Sequence, residues 1–122
     1  MKLHLNSFAE SFAITGHGAG FVQVGTTKVS TPLIVLADKL IAPWAVANPS
    51  SIALVDFAPL AEQDLELIVF GSGPTFRFPH PRIAAAFGAR RVGFESMDTP
   101  AACRTFNVLV SEGRRVAAAL IV

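Results

Sequence analysis

The 122-residue chain is 52% hydrophobic and 16% charged, with a formal net charge of +1 at pH 7. This composition supplies enough apolar material for one core, yet charges and prolines interrupt every apolar stretch before the roughly 20 residues that a membrane-spanning helix requires. The near-neutral charge gives little long-range attraction for nucleic acid. We therefore expect a single domain, residues 1–122, that neither spans a membrane nor binds nucleic acid.

Cysteine usage and the amino terminus indicate a cytoplasmic protein. Cys103 is the only cysteine, which excludes an internal disulfide and a metal site built on paired thiolates. The first ten residues, MKLHLNSFAE, lack the apolar stretch and cleavage site of a secretory signal. The three histidines are scattered, so we expect no metal and no cofactor.

The charge is distributed unevenly. Residues 1–76 contain three lysines and six acidic residues, whereas residues 77–122 contain seven arginines and three acidic residues. A solvated, ion-paired rim is the interpretation that we favour over a site for anions or acidic partners, because arginine also serves simple ion pairs.

The first half of the chain has the pattern of short strands. Between residues 11 and 29, apolar residues alternate between glycine-containing turns, which favours antiparallel pairing. Residues 33–36 and 41–46 continue the pattern, although Pro43 places its strand at an edge or a bulge. Residues 51–57 read as a strand, and residues 56–62 read equally as a short helix capped by Asp56, so this segment stays open.

The second half alternates strands and helices. The apolar run 65–70 predicts a central strand that is covered on both faces. A short helix should begin at Pro81 and stop at a left-handed Gly88, and residues 91–95 alternate as a strand should.

The last helix has the clearest predicted boundaries. Thr99 is expected to cap it, Pro100 suits its first turn, and Gly113 can end it. Its apolar face is predicted to comprise Cys103, Phe106, Asn107 and Val110. Residues 116–122 should then return as a strand, completing a β-α-β-α-β unit.

Gly71, Ser72 and Gly73 directly follow the predicted central strand, which invites comparison with a phosphate-binding loop. The match is weak because no third glycine follows and the next helix along the chain begins only near Pro81. A plain turn is the favoured interpretation.

The reactive side chains near the last helix each have two interpretations. Cys103 beside Arg104 is a candidate nucleophile, but its place on the apolar face favours a buried packing residue. Glu95 and Asp98 form a candidate acid–base pair, although Asp98 also suits a helix start and Glu95 an ion pair. For Asn107 we favour bonding to backbone over contact with a ligand, and His80 reads as a loop or cap residue.

Residues 93–121 carry a specific family pattern, which includes Glu95, the segments Met97-Asp98-Thr99-Pro100 and Thr105-Phe106-Asn107, and Glu112-Gly113-Arg114. Weaker agreement extends to Gly16, Phe21, Pro43-Trp44 and Gly71-Ser72-Gly73. The chain resembles a family of small uncharacterised bacterial and archaeal proteins whose mitochondrial relatives are assembly factors of respiratory complex I. The resemblance implies a three-layer α/β fold, Mth938-like, with a mixed central sheet and an additional N-terminal antiparallel β portion. It implies no catalytic residue.

Two functional hypotheses follow, in addition to a homo-oligomer built on an exposed strand edge. The leading hypothesis is a non-enzymatic assembly or interaction factor for a respiratory or membrane-associated complex, whose partners are protein subunits. The alternative is a small-molecule or anion-binding protein, or an enzyme, that uses a crevice near the glycine loop and the start of the last helix. Its tentative ligand-binding residues are Gly71, Ser72, Gly73, Glu95, Asp98, Thr99, Arg104 and Asn107.

Overall fold

A computed structural model describes residues 2–3 and 12–122 of the chain. These residues contain nine strands, two α-helices and one 3-10 helix. In chain order they are β1 (Lys2–Leu3), β2 (Ile14–Gly18), β3 (Phe21–Val24), β4 (Thr27–Val29), β5 (Leu33–Leu36), β6 (Lys39–Ile41), the 3-10 helix (Leu54–Leu60), β7 (Leu67–Gly71), α1 (Pro81–Gly88), β8 (Gly93–Met97), α2 (Thr99–Ser111) and β9 (Val116–Leu120).

The strands form two sheets. The larger has the order β1-β6-β5-β9-β7-β8, in which β7 pairs in parallel with both β8 and β9 while β5 pairs antiparallel with β6 and β9. The smaller is an antiparallel sheet of β2, β3 and β4. The predicted mixed central sheet and the separate N-terminal antiparallel portion are both confirmed.

The central strands of the larger sheet, β5, β7 and β9, are buried on both faces, which makes the fold three-layered. Successive side chains of a strand point to opposite faces, so Val69 and Ala118 pack toward α2 and the small sheet. Their neighbours Ile68 and Ala119 pack toward α1 and the 3-10 helix. The predicted burial of β7 on both faces is confirmed, since Ile68 and Val69 are both fully buried.

Helix α2 lies between the two sheets and packs against both. The Phe106 side chain of this helix is fully buried, and its Asn107 side chain reaches Ile14 of the small sheet. The Asn107 side-chain amide donates to the Ile14 carbonyl at 2.6 Å, and its Oδ1 accepts from the Ile14 amide at 3.0 Å. The favoured interpretation of Asn107 as a backbone-bonding residue is confirmed, and it joins positions that lie 93 residues apart.

The predicted end of α1 is wrong. Gly88 is the last helical residue and has no positive φ, whereas Arg91 adopts a φ of 61°. The Val92 amide donates to the Phe87 carbonyl and the Arg91 amide to the Gly88 carbonyl, which is the Schellman pattern of a helix end. Because Arg91 occupies this turn, β8 begins at Gly93 rather than at the predicted residue 91.

Two predictions in the middle of the chain also need correction. The predicted strand 41–46 is wrong, because β6 ends at Ile41 and the chain leaves the sheet before Pro43, which has no N–H to donate. The strand alternative for residues 51–57 is wrong as well. The helical alternative is correct in kind, but the 3-10 helix begins at Leu54, and the Asp56 carboxylate reaches back to the Ala53 amide at 2.8 Å.

We predict that Asn107→Ala lowers the free energy of unfolding by about 1–3 kcal/mol, because it leaves the backbone groups of Ile14 without their partner. Urea unfolding measures the loss, and amide hydrogen exchange should show faster exchange at Ile14. As a control, Asn107→Asp keeps the acceptor but not the donor, and should preserve protection of the Ile14 amide better. Unchanged exchange at Ile14 in the alanine variant would contradict the assignment.

Candidate functional site

The end of β7, the start of α2 and the end of β9 meet at a buried junction formed by Gly71, Gly73, Thr99 and Ile121. The Thr99 hydroxyl accepts from the Gly73 amide at 2.9 Å and donates to the Ile121 carbonyl at 2.5 Å. The Thr99 amide in turn donates to the Gly73 carbonyl at 2.8 Å. One buried side chain therefore joins three segments of the chain.

Thr99 is not the helix cap that the sequence predicted. The N-cap is Asp98, whose extended backbone lets its carboxylate accept from the Ala101 amide at 2.8 Å. The prediction is wrong because the Thr99 hydroxyl is already bonded to Gly73 and Ile121. The other end of α2 is as predicted: Gly113 has a φ of 79° and closes a Schellman motif in which the Arg114 amide donates to the Leu109 carbonyl.

The two loop positions Gly71 and Gly73 require glycine for different physical reasons. A Cβ on Gly71 would lie 2.8 Å from Thr99 Oγ1 and 3.0 Å from Thr99 Cα, so only glycine lets β7 approach α2 this closely. Gly73 has a φ of 105°, a conformation that side chains rarely adopt. Both glycines are thus explained by the junction itself.

The polar groups of Ser72 and Gly73 in this loop already form hydrogen bonds within the protein. The Ser72 amide donates to the Met97 carbonyl at 2.9 Å, and its hydroxyl donates to the Thr75 carbonyl at 2.8 Å and accepts from the Arg77 amide at 2.9 Å. With the Gly73 amide bonded to Thr99, this pattern is that of the plain turn that we favoured.

A helix start does face this loop, as the hypothesis of a crevice between the glycine loop and the last helix requires. The helix is α2, which begins 26 residues after Gly73 and not next along the chain. Its first-turn amides are nevertheless satisfied, because Thr99 bonds Gly73 while Ala101 and Ala102 bond Asp98, and proline at position 100 has no amide hydrogen. An anion at this end of α2 would have to displace existing hydrogen bonds.

A groove of about 310 Å³ opens beside the junction, between it and the turn that joins β2 to β3. Gly73 and Thr99 line it from the junction side, and Phe21 and Gly18 line it from the small sheet. Most of the lining is apolar, and it includes the terminal residues Ile121 and Val122.

The structure brings together only part of the predicted ligand-binding set. Gly71, Ser72, Gly73, Asp98 and Thr99 cluster at or beside the junction. Only Gly73 and Thr99 of the predicted set line the groove. The remaining three residues lie apart from the junction: Glu95 and Arg104 are exposed, and Asn107 is bonded to Ile14. Within residues 12–122, Glu95 forms no ion pair with Arg91 or Arg104.

Cys103 is a packing residue, as favoured from the sequence. Its side chain is buried in the core between α2 and the large sheet. Burial raises the pKa of the Cys103 thiol to about 11, although the positive charge of Arg104 lowers it in opposition. The reactive thiolate is consequently scarce at neutral pH. Nowhere in the described ranges do three or more His, Cys, Asp or Glu side chains group as metal ligands.

Sequence reasoning also missed an aromatic loop, residues 74–80, between β7 and α1. Phe76 and Phe78 are 47% and 85% exposed, and their ring centroids lie 4.4 Å apart. Ser72 anchors the loop through Arg77 and Thr75, and His80 ends it as the cap of α1, with Nδ1 accepting from the Arg82 amide at 3.0 Å. The available signal was two phenylalanines in a proline-rich loop. The predicted cap role of His80 is confirmed.

The fold and these residues can be compared with known proteins. A family model described as "Protein of unknown function (DUF498/DUF598)" matches residues 14–121. The chain belongs to this family. A crystal structure of a Bordetella parapertussis protein is similar, with a TM-score of 0.84 and 31% identity over 93% of this chain and 97% of that one. The solution structure of a Bordetella pertussis protein, described as a Mth938-like domain, has a TM-score of 0.78 and 30% identity, and covers 99% and 92% of the two chains.

Among curated relatives, the chain is 30% identical over 123 residues to mouse NADH dehydrogenase [ubiquinone] 1 alpha subcomplex assembly factor 3. The match covers 99% of this chain but 66% of the mouse protein, slightly under two thirds of its length. The expected kinship with the complex I assembly factors and the Mth938-like fold are confirmed. In the part of the chain that the structure describes, no helix combines the length and the apolar character needed to cross a bilayer.

We predict that Thr99→Val lowers the free energy of unfolding by about 2–5 kcal/mol, because it keeps the branched shape but leaves the Gly73 amide and the Ile121 carbonyl buried without a partner. Thr99→Ser retains the hydroxyl and should cost only about 1 kcal/mol for the lost methyl. Urea unfolding of both variants measures the difference. Equal losses would show that the methyl, and not the hydroxyl, holds the junction.

Proposed function

We propose that this protein is a non-enzymatic interaction factor that helps to assemble or stabilise a respiratory or membrane-associated complex. The proposal draws its biological setting from the mouse relative, whose name describes an assembly factor. The same proposal places the protein in the cytoplasm, with residues 1–122 as a single domain.

Four of the candidate side chains support a non-enzymatic role because each of the four has a structural use. The Cys103 thiol is buried with a raised pKa, the Thr99 hydroxyl bonds two backbone groups, and the Asn107 amide holds Ile14. Asp98 caps α2. A catalytic group must reach a reacting atom, and these bonds would have to break first.

The observation that carries the proposal is the exposed aromatic pair of Phe76 and Phe78. Apolar rings in water cost free energy, and a rigid aromatic pair is a common anchor in protein interfaces. The loop that bears them is held by Ser72 and by the His80 cap. The two rings are therefore exposed on an ordered loop, as expected of a surface that a partner covers.

We predict that the tagged protein, captured from its native cells, enriches subunits of a respiratory or membrane-associated complex. Replacing both Phe76 and Phe78 with serine should remove most of this enrichment, because it deletes the two exposed anchors. Quantitative mass spectrometry of the captured material measures the effect.

Val108→Ser is the matched control, because Val108 is 55% exposed on α2, away from the aromatic loop. It should leave the capture unchanged. Absence of any such subunit in cells that assemble the complex would overturn the proposal, as would capture that ignores the aromatic pair.

A second candidate function is favoured by the groove beside the junction. It lies where β7 and β9 end, the edge at which open α/β sheets bind ligands. Because the polar groups of the junction are committed, the groove fits a small, largely apolar molecule better than an anion.

We predict for this candidate that a thermal-shift screen of metabolites finds a ligand that raises the melting temperature by about 10 °C at 100 times its dissociation constant. Ala19→Trp should abolish the shift by filling the groove, which Ala19 lines. Ala84→Trp, at an exposed position on α1, is the control. A screen without hits, or a shift that survives Ala19→Trp, would rule the groove out as the binding site.

A further inference from the structure

Three adjoining depressions cross the layer formed by α1 and the 3-10 helix. The first lies under the aromatic loop, the second at the start of α1, and the third between the 3-10 helix and the end of α1. The first and second share Ser51, Ile52 and His80, and the second and third share Leu54. They form one continuous surface, which we call the arginine track after its members Arg77, Phe78, His80, Arg82, Leu54 and Arg90.

The charge of the track has a single sign. Arg77, Arg82 and Arg90 line one depression each, and all three are exposed. Within residues 12–122, no carboxylate lines any of the depressions, and none of the three arginines forms an ion pair. The nearby Asp56 is buried with its carboxylate bonded to the Ala53 amide.

Apolar side chains accompany these charges. Phe78 rises from the first depression, and Leu54 lies between the second and third with Val55 beside it, 76% exposed. Arg90 is held in place because its guanidinium donates to the Ala61 carbonyl and lies over the Phe87 ring at 5.7 Å. The track thus presents positive charges beside exposed apolar side chains, and Arg90 is the arginine whose side chain is held by contacts.

We propose that the arginine track binds an acidic segment of a partner protein, whose carboxylates pair with Arg77, Arg82 and Arg90. The apolar side chains of the same segment fill the depressions beside Phe78 and Leu54. This inference rests on the proposed interaction function and names the chemistry of the partner. A protein segment fits better than an anionic bilayer, because concave depressions receive individual side chains whereas a bilayer presents a flat surface.

The test is selection from a library of random short peptides displayed against the immobilised full chain. Enriched peptides should combine aspartate or glutamate with aromatic or aliphatic residues. For the tightest peptide, made synthetically, Arg77→Glu and Arg82→Glu should each weaken the dissociation constant at least about tenfold. Arg104→Glu is the matched control, because it makes the same charge change at an exposed position on α2, across the large sheet, and should have little effect.

Charge reversal provides a readout that misfolding cannot produce. Selection repeated on the Arg77→Glu variant should enrich peptides with lysine or arginine in place of the acids. Enrichment of neutral or basic peptides on the unaltered protein, no enrichment at all, or equal weakening by Arg104→Glu would overturn the inference. The protein could instead fail to select any peptide but bind vesicles of phosphatidylserine and phosphatidylcholine. If Arg77→Glu abolished that vesicle binding, the inference would be overturned in favour of a membrane surface.

The two proposals fail separately. Capture from native cells that depends on Phe76 and Phe78, together with a failed peptide selection, overturns only the acidic chemistry of the partner. Failure to capture any subunit of a respiratory or membrane-associated complex overturns the proposed function, whatever the peptides show.

Discussion

The arrangement of the central strands and α2 depends on the hydrogen bonds of the Thr99 hydroxyl. This hydroxyl bonds the Gly73 amide and the Ile121 carbonyl while the Thr99 backbone amide bonds the Gly73 carbonyl, so the end of β7, the start of α2 and the end of β9 share one fixed geometry. The arrangement is close enough to require glycine at position 71. Because these groups are buried, losing the hydroxyl would leave unpaired polar atoms that the core cannot solvate.

This junction separates two surfaces with different character. On one side of the large sheet, α2 and the small sheet are joined by buried contacts and by the bonds of Asn107 to Ile14. On the other side, the aromatic loop begins just after the junction. The Ser72 hydroxyl holds this loop by hydrogen bonds to the Thr75 carbonyl and the Arg77 amide. The first surface serves to hold the fold together, whereas the second exposes two aromatic rings and three arginines that form no ion pair within residues 12–122.

Local chemistry explains which parts of the fold were predictable. The apolar run of β7 and the glycine stop at Gly113 follow from neighbouring residues alone, and both are confirmed. Thr99 was misassigned as a cap because its partners lie 22 and 26 residues away along the chain. Arg91 took the left-handed turn expected at Gly88, which residue type alone does not favour. The exposure of Phe76 and Phe78 depends likewise on how Ser72 directs the loop, and no periodicity encodes that.

The arginines show the same division between composition and structure. From the sequence, an ion-paired rim was the favoured interpretation, and it describes Arg114 and Arg115, which pair with Glu66 and Asp64. The hydrogen bond that the Arg115 backbone amide donates to the Glu66 carboxylate is the largest cause of the lowered pKa of Glu66. The arginine track departs from this pattern, because its three guanidinium groups form no ion pair within residues 12–122 and lie beside exposed apolar side chains. A residue count cannot separate these two groups of arginines, since only the fold decides which arginines face a carboxylate of their own chain and which do not.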